Sequence, residues 1–177
     1  MPSTPDTSLA GGAPLSGRSV VVTRTREQST ALARLLEKRG AEVIAFPVIA
    51  VVDPEDWSPA DEAIAHLDEY DWVVFTSTNG VDRFLARMRA LGHDTSELAA
   101  RSVAAVGGAT AARLQDAGIT PDFVPEDFRA EGLVEGFIDR GVGEGAKVLI
   151  ARALEAREIL PDTLREMGAL VDVAPVY

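Results

Sequence analysis

The sequence predicts an α/β fold with parallel sheets. Short apolar runs typical of strands alternate with amphipathic stretches typical of helices, at the spacing of βαβ units. The run Trp72–Phe75 (WVVF) has four consecutive β-prone residues, as expected for a strand that is buried on both faces of a sheet. Gly40 and Gly118 follow two of the amphipathic stretches, at positions where glycine commonly ends a helix.

The individual elements follow from these patterns. Runs of β-branched and other apolar residues predict strands at 19–23, 42–46, 72–76, 102–106, 123–125, 147–151 and 170–173. Apolar residues three or four positions apart predict helices at 29–39, 59–67, 80–91, 110–117, 130–140 and 158–167. After Pro47, residues 48–52 are expected to continue as an extended segment.

The composition excludes several kinds of site. The chain has 177 residues and a net charge of −11, which disfavours binding to nucleic acid or to an anionic membrane. It contains no cysteine, so disulfides, thiolate catalysis and cysteine metal sites are excluded. His66 and His93 lie far apart, with no ligand partner at metal-binding spacing, so no metal site is expected.

The start of the chain predicts neither a signal peptide nor a membrane anchor. Residues 1–17 are rich in small residues and proline and lack a basic start and an apolar middle. No apolar run in the sequence approaches the ~20 residues that span a membrane. We therefore expect 1–17 to be a flexible tail and the protein to be cytoplasmic.

The elements divide unequally along the chain. Residues 53–173 contain five predicted strands with intervening helices, enough for a closed α/β domain. Residues 18–47 contain two strands and one helix, too little to bury a core of their own. This first part is expected to pack on the larger domain, on a partner chain or on sequence after Tyr177, where an extended segment stops as if truncated.

The first candidate site is the polar loop TSTNG, formed by Thr76, Ser77, Thr78, Asn79 and Gly80. It follows a buried strand and precedes a helix, at the edge of a parallel sheet where ligands bind. Free amides at a helix N-terminus attract carboxylate or phosphate groups. Helix capping by the hydroxyl and amide side chains is the alternative interpretation of the same residues.

Two further strand ends carry candidate residues. Gly107 and Thr110 lie in the motif VGGATA. Its two glycines let a ligand approach the backbone, and Thr110 is placed to cap the next helix. A plain turn between strand and helix is the alternative interpretation. Arg24 and Arg152 follow two other strands, where their guanidinium groups are suited to binding carboxylates. Surface ion pairing to Glu27, Glu155 or Glu158 is the alternative for arginines after strands, and for Arg26 and Arg157 it is favoured.

Several motifs occur together over nearly the whole chain from Arg18 onward. They are VVVTR at 20–24, WVVFTSTNGV at 72–81, AVGGATA at 105–111, AEGL at 130–133, KVLIAR at 147–152 and AREILPDTLR at 156–165. Each motif is weak alone, but in combination they resemble the uroporphyrinogen-III synthase family.

The resemblance implies two flavodoxin-like parallel-sheet domains joined by a two-stranded linker, with the active site in the cleft between them. Residues 18–47 would be the N-terminal part of domain one, 48–52 and 173–177 the linker strands, and 53–172 the complete second domain. The carboxyl-terminal part of domain one would be missing.

The resemblance also implies an activity. The protein would be a monomeric lyase that cyclises hydroxymethylbilane to uroporphyrinogen III, with inversion of ring D and loss of water, in haem, sirohaem and cobalamin biosynthesis. No cofactor or metal is implied. Tyr177 would assist departure of the hydroxyl group, with a packing role in the linker strand as the alternative. The implied partners are the linear tetrapyrrole octacarboxylate and hydroxymethylbilane synthase or a fused methyltransferase. The 177 residues alone are expected to be nearly inactive.

Two other functions are compatible with an α/β fold. A non-enzymatic module of a regulatory protein would use the same cleft to sense a tetrapyrrole, and a winged-helix sequence after position 177 would favour it. A flavodoxin-like phosphoacceptor domain needs an acidic cluster after the first strand, where this chain reads TRTR.

Overall fold

Residues 13–126 and 130–177 are described in the computed structural model of this chain. The first twelve residues of the predicted tail lie outside this description. Residues 13–17 form a turn, and the amide of Leu15 donates a hydrogen bond to the carbonyl of Arg39 at 2.8 Å. By its internal contacts the chain divides after Val51 into two compact units.

The first unit contains one βαβ repeat. Strand β1 is Ser19–Val22, helix α1 is Arg26–Glu37 and strand β2 is Glu42–Ala45, and the two strands pair in parallel. The described residues of this unit bury few apolar side chains, since Val22 and Ala41 are buried whereas larger ones are exposed. The exposed ones include Val21, Leu35, Ile44, Phe46, Val48 and Ile49. The expectation that 18–47 does not bury a core of its own is therefore confirmed.

The second unit is built on a four-stranded parallel sheet. Its strands are β3 (Trp72–Phe75), β4 (Ser102–Ala105), β5 (Lys147–Arg152) and β6 (Leu170–Pro175), in the order β4-β3-β5-β6. Its helices are α2 (Ser58–Ala65), α3 (Thr78–Ala90), α4 (Thr95–Ala99), α5 (Gly108–Asp116), α6 (Ala130–Asp139) and α7 (Ile159–Glu166). A short 3-10 turn, Leu67–Glu69, precedes β3. The α/β fold with parallel sheets is confirmed.

Both faces of this sheet are covered. Along β5 successive side chains point to opposite faces, so Val148 and Ile150 enter one apolar cluster whereas Leu149 and Ala151 enter the other. One cluster packs under α2, α3 and α5, and the other under α6 and α7. All four of these side chains are fully buried, which explains why the strands read as continuous apolar runs.

Three predicted elements differ in the structure. The predicted strand at 123–125 is a single bridge between Phe123 and Ala104, because Pro121 and Pro125 on either side have no N–H to donate to a ladder. Residues 48–52 are not assigned to a strand, and the amide of Val48 donates a hydrogen bond to the carbonyl of Thr23 at 3.3 Å. Strand β6 extends to Pro175, so the predicted linker strand at 173–177 begins inside the sheet.

Candidate functional site

The carboxyl ends of four parallel strands meet at one edge of the second unit's sheet. Three helices begin at this edge, α3 after β3, α5 after β4 and α7 after β5. The first amides of a helix have no acceptor within the helix, so this edge presents a set of N–H donors. Such donors favour an anionic ligand, because the helix dipole adds partial positive charge at the same place.

The loop after β3 is fixed by its own serine. Helix α3 begins at Thr78, two residues earlier than predicted, and Ser77 is its N-cap. The Ser77 Oγ accepts a hydrogen bond from the amide of Gly80 at 3.0 Å. A side chain on the buried Gly80 would approach the carbonyl oxygen of Ala151 to 3.1 Å, so glycine lets α3 pack directly on the end of β5. The capping interpretation is correct for Ser77, and Thr76, Thr78 and Asn79 are half-buried around it.

The structure brings the predicted catalytic tyrosine to this loop. The Tyr177 Oη lies 2.9 Å from the Ser77 Oγ, at hydrogen-bonding distance across 100 residues of sequence. The backbone of Tyr177 is held as well, because its carbonyl accepts a hydrogen bond from Leu154 at 2.9 Å. The Tyr177 phenol and the Ser77 hydroxyl, both half-buried, thus lie together at the first turn of α3.

The loop after β4 has a different arrangement from the one predicted. Gly107 is the N-cap of α5, and this helix begins at Gly108 rather than at Thr110 as predicted. Thr110 therefore lies in the first turn, where it is buried, and the prediction that it caps the helix is wrong. Gly107 has no side chain to cap with, so the first amides of α5 keep no side-chain acceptor.

Arg152 ends β5 and is 94% buried, with a relative exposure of 6%. Its Nη1 donates to the carbonyl of Arg157 at 2.9 Å, and its Nη2 donates to the carboxylate of Glu158. Its Nε is buried and has no hydrogen-bond partner in the part of the chain that the structure describes. Sequence reasoning predicted an arginine at a strand end but not its burial, which follows from packing against α7.

A cavity of about 600 Å³ adjoins this arginine. The period of two along a strand puts Thr76, Val106, Ile150 and Arg152 on the same face of the sheet, and all four line the cavity. The start of α7 and Glu131 complete the wall. Most of the lining residues are apolar, and the polar ones are Thr76, Glu131, Arg152 and Arg157.

The remaining predicted residue is Arg24, which follows β1 in the first unit and is exposed. Its carbonyl accepts a hydrogen bond from the Ser29 hydroxyl at 3.1 Å. A role for Arg24 in ligand binding stays a prediction. Glu158 is one of the glutamates that the sequence offered as partners for the arginines after strands, and in the structure it pairs with the buried Arg152.

A second cavity, of about 410 Å³, lies beside the amino end of β3 and has a different character. It is lined by acidic groups, among them Glu62, Glu69 and Asp172. Burial and then the 2.8 Å hydrogen bond to Asp172 raise the pKa of Tyr70 above its usual range, so the phenol stays protonated. This acidic cavity does not suit an anion, and the described residues contain no group of three or more side chains able to hold a metal ion.

Comparison with known proteins gave consistent matches. The sequence model of uroporphyrinogen-III synthase HemD matches residues 30–177. The uroporphyrinogen-III synthase of Synechococcus elongatus is 34% identical over 165 residues, covering 93% of this chain and 61% of that protein. The porphyrin biosynthesis protein HemD of Ruminiclostridium josui is 35% identical over 164 residues, covering 93% of this chain and 32% of that protein. The chain thus spans less than two thirds of the length of these relatives.

The solved structures agree on the fold. A mutant uroporphyrinogen III synthase from Thermus thermophilus superposes with a TM-score of 0.66 at 23% identity, over 90% of this chain and 61% of that one. A second crystal form, of the wild-type enzyme, gives a TM-score of 0.55. Along the described ranges of the present chain, no helix combines the length and the apolar character needed to cross a membrane.

Fold and edge together define the class: a parallel α/β protein whose carboxyl edge carries helix-start amides, hydroxyl groups and a buried arginine. The family match covers most of the chain, from residue 30 to the last residue. The chain belongs to the uroporphyrinogen-III synthase family.

Proposed function

We propose that the protein cyclises hydroxymethylbilane to uroporphyrinogen III, with inversion of ring D and loss of water. Family membership carries the proposal, since the match extends from residue 30 to residue 177. The contact between Tyr177 and Ser77 supports it, because it joins the predicted catalytic residue to the predicted binding loop. On this proposal the protein is a cytoplasmic, monomeric lyase of tetrapyrrole biosynthesis, with hydroxymethylbilane synthase or a fused methyltransferase as partner.

The chemistry of the substrate fits the carboxyl edge. Hydroxymethylbilane is a flexible chain of four pyrroles bearing eight carboxylates, and a protein with net charge −11 repels it at long range. Local donors must offset this repulsion, and the starts of α3, α5 and α7 supply backbone amides for that purpose. Backbone amides and hydroxyls accept carboxylates in many orientations, which suits a ligand that folds during the reaction.

Loss of water requires a proton for the departing hydroxyl group. The pyrrole nitrogen pushes electrons toward the hydroxymethyl carbon, the C–O bond breaks with its electron pair on oxygen, and a donor supplies the proton. We assign this donation to the Tyr177 phenol, which the Ser77 Oγ holds in place at 2.9 Å. The protein otherwise holds the resulting cation in a folded arrangement until the ring closes.

The isomer that forms tests this function directly. The gene product that carries this chain is incubated with hydroxymethylbilane, and the porphyrinogens are oxidised and separated by isomer. We expect type III to dominate. If type I, the product of spontaneous cyclisation, forms at the same rate and proportion as without protein, the proposed activity is wrong.

A second arm of the assay uses the 177 residues alone. We propose that they support little turnover, because the first unit leaves apolar residues such as Val21, Ile44 and Phe46 exposed. A unit with so little buried surface is only marginally stable. Type III formation by these 177 residues well above the spontaneous rate would contradict the proposal of low turnover and would leave the proposed activity unaffected.

A further inference from the structure

Arg152 has hydrogen-bonding capacity that the described residues of the protein do not use. It is 94% buried, since its relative exposure is 6%, and buried charges are normally paired and fully hydrogen-bonded. A carboxylate can bind an arginine side-on through two parallel hydrogen bonds, one from Nε and one from an Nη. Glu158 bonds to Nη2 through a single oxygen, and Nε is left without a described partner. The ion pair with Glu158 therefore uses one of the two parallel hydrogen bonds that Arg152 is able to form with a carboxylate.

In the described part of the chain, the Glu158 side chain is paired with Arg152. Its side chain is 54% exposed, in contrast to 7% for the side chain of Arg152. Glu158 occupies the N-cap position of α7, yet its side chain makes no capping hydrogen bond to the helix. Its carboxylate can return to water at little cost, because it is half in water already.

The space beside the pair is large enough for a ligand. The cavity of about 600 Å³ is lined by Arg152 and by the first residues of α7. Cavities that hold small organic ligands are typically about 300–1,000 Å³ and mainly apolar, with a few polar groups that orient the ligand. Its lining combines apolar residues such as Val106, Ile150 and Leu160 with Arg152, a combination that suits an aromatic ring with an acidic substituent.

We propose that Glu158 is a displaceable internal carboxylate, which pairs with Arg152 while the site is empty and gives way to a carboxylate of the ligand. The incoming carboxylate binds Nε and Nη2 together. The chemical class of ligand is a pyrrole ring with acidic side chains; this identity rests on the proposed function, whereas the displacement itself does not.

The exchange has a consequence for specificity. A neutral ring that entered the cavity and displaced Glu158 would leave a buried arginine without a counter-charge, which is strongly unfavourable. An acidic ring replaces one ion pair by another with an additional hydrogen bond. The pair therefore selects ligands with free carboxylates over esterified or decarboxylated ones.

Equilibrium binding of uroporphyrin III, a stable porphyrin with eight carboxylates, tests the exchange in the purified protein. Glu158→Gln removes the competing charge, and we expect the dissociation constant to fall about tenfold, as when a competing closed state is removed. Arg152→Gln is expected to raise it at least about tenfold, and the double variant is expected to match Arg152→Gln. The octamethyl ester of the same porphyrin is expected to bind all variants equally weakly.

A matched control lies on the same strand. Lys147 begins β5, and its 2.7 Å ion pair with Glu69 is exposed on both sides. Glu69→Gln removes a carboxylate from that pair and is expected to leave porphyrin binding unchanged. Thermal unfolding of each variant shows whether it is folded. Because Arg152 is buried and its replacement by glutamine can unfold the protein, Arg152→Lys is measured as a second variant at that position.

The outcomes separate this inference from the proposed function. If the wild-type protein binds the octacarboxylate and Glu158→Gln binds it no more tightly, the displacement is wrong and the proposed function stands. If Glu158→Gln only lowers thermal stability, the pair is a structural contact and the inference fails in the same way. If no variant binds the porphyrin but type III isomer is still formed, the inference fails and the activity is retained.

Discussion

Replacing Phe137 by alanine is expected to lower the free energy of unfolding by about 3–5 kcal/mol, the usual cost of deleting a buried aromatic side chain. Phe137 is fully buried under the face of the sheet covered by α6 and α7. Its ring makes edge contacts with Trp72, at 5.1 Å between centroids, and with Phe123, at 5.8 Å. The substitution leaves a cavity and removes both aromatic pairs. Urea unfolding followed by tryptophan fluorescence measures the change, since Trp72 lies at the site.

The neighbouring residue supplies the control. Ile138 is on the same helix but is 57% exposed, so Ile138→Ala is expected to change stability by no more than about 0.5 kcal/mol. Equal effects of the two substitutions would show that this face of the sheet is not a packed core. The position of the cavity beside Arg152 would then lose its structural basis, because the same cluster includes Ile150 and Leu160.

In the gene product that carries this chain, Gly80→Pro is expected to reduce the rate of type III formation more than about a hundredfold, as the loss of preorganised donors does in other active sites. Proline has no N–H to donate to Ser77, and its ring enters the space where a side-chain carbon meets the carbonyl of Ala151 at 3.1 Å. It also disfavours the helical conformation of Asn79, so the first turn of α3 opens. Ser77→Ala keeps the turn and loses two hydrogen bonds, and we expect a smaller loss of about tenfold.

A proline in another helix controls for the substitution itself. Thr95 is the first residue of α4, and Asp94 before it is extended, with ψ of 146°, as a residue before proline prefers. Thr95→Pro is therefore expected to leave the rate unchanged. Equal and negligible losses from Gly80→Pro and Ser77→Ala would remove the loop from the site.

The sheet was predictable because its strands are buried on both faces. A run such as VLIA in β5 needs no partner information to be recognised, since each of its side chains enters one of two apolar clusters. Short elements were not predictable in this way. Helix α4 was missed although Asp94 and Glu97 form a capping box, because a five-residue helix shows too little apolar periodicity. The flanking prolines of 123–125 were the available evidence against a strand there.

The candidate site was predictable only in part. The sequence shows which residues follow strands, and parallel pairing then brings Ser77, Gly107 and Arg152 to one edge. It does not show which partners those side chains choose. The bond between Ser77 and Tyr177 spans 100 residues, and the pairing of Arg152 with Glu158 depends on how α7 packs. The first is a tertiary contact without a local sequence signal, whereas the second joins residues six positions apart, within the ion pairing to nearby glutamates that the sequence allowed.

Amide chemical-shift mapping with an octacarboxylate porphyrin is the most direct test that the carboxyl edge of the second unit's sheet binds the ligand. The account predicts that the largest shifts on titration occur at the starts of the three helices at that edge, in residues 77–80, 107–110 and 159–160. The amides of Asp71 and Lys147, at the opposite edge, are predicted to stay unchanged. Shifts confined to that opposite edge, or to the acidic cavity around Tyr70, would contradict the account.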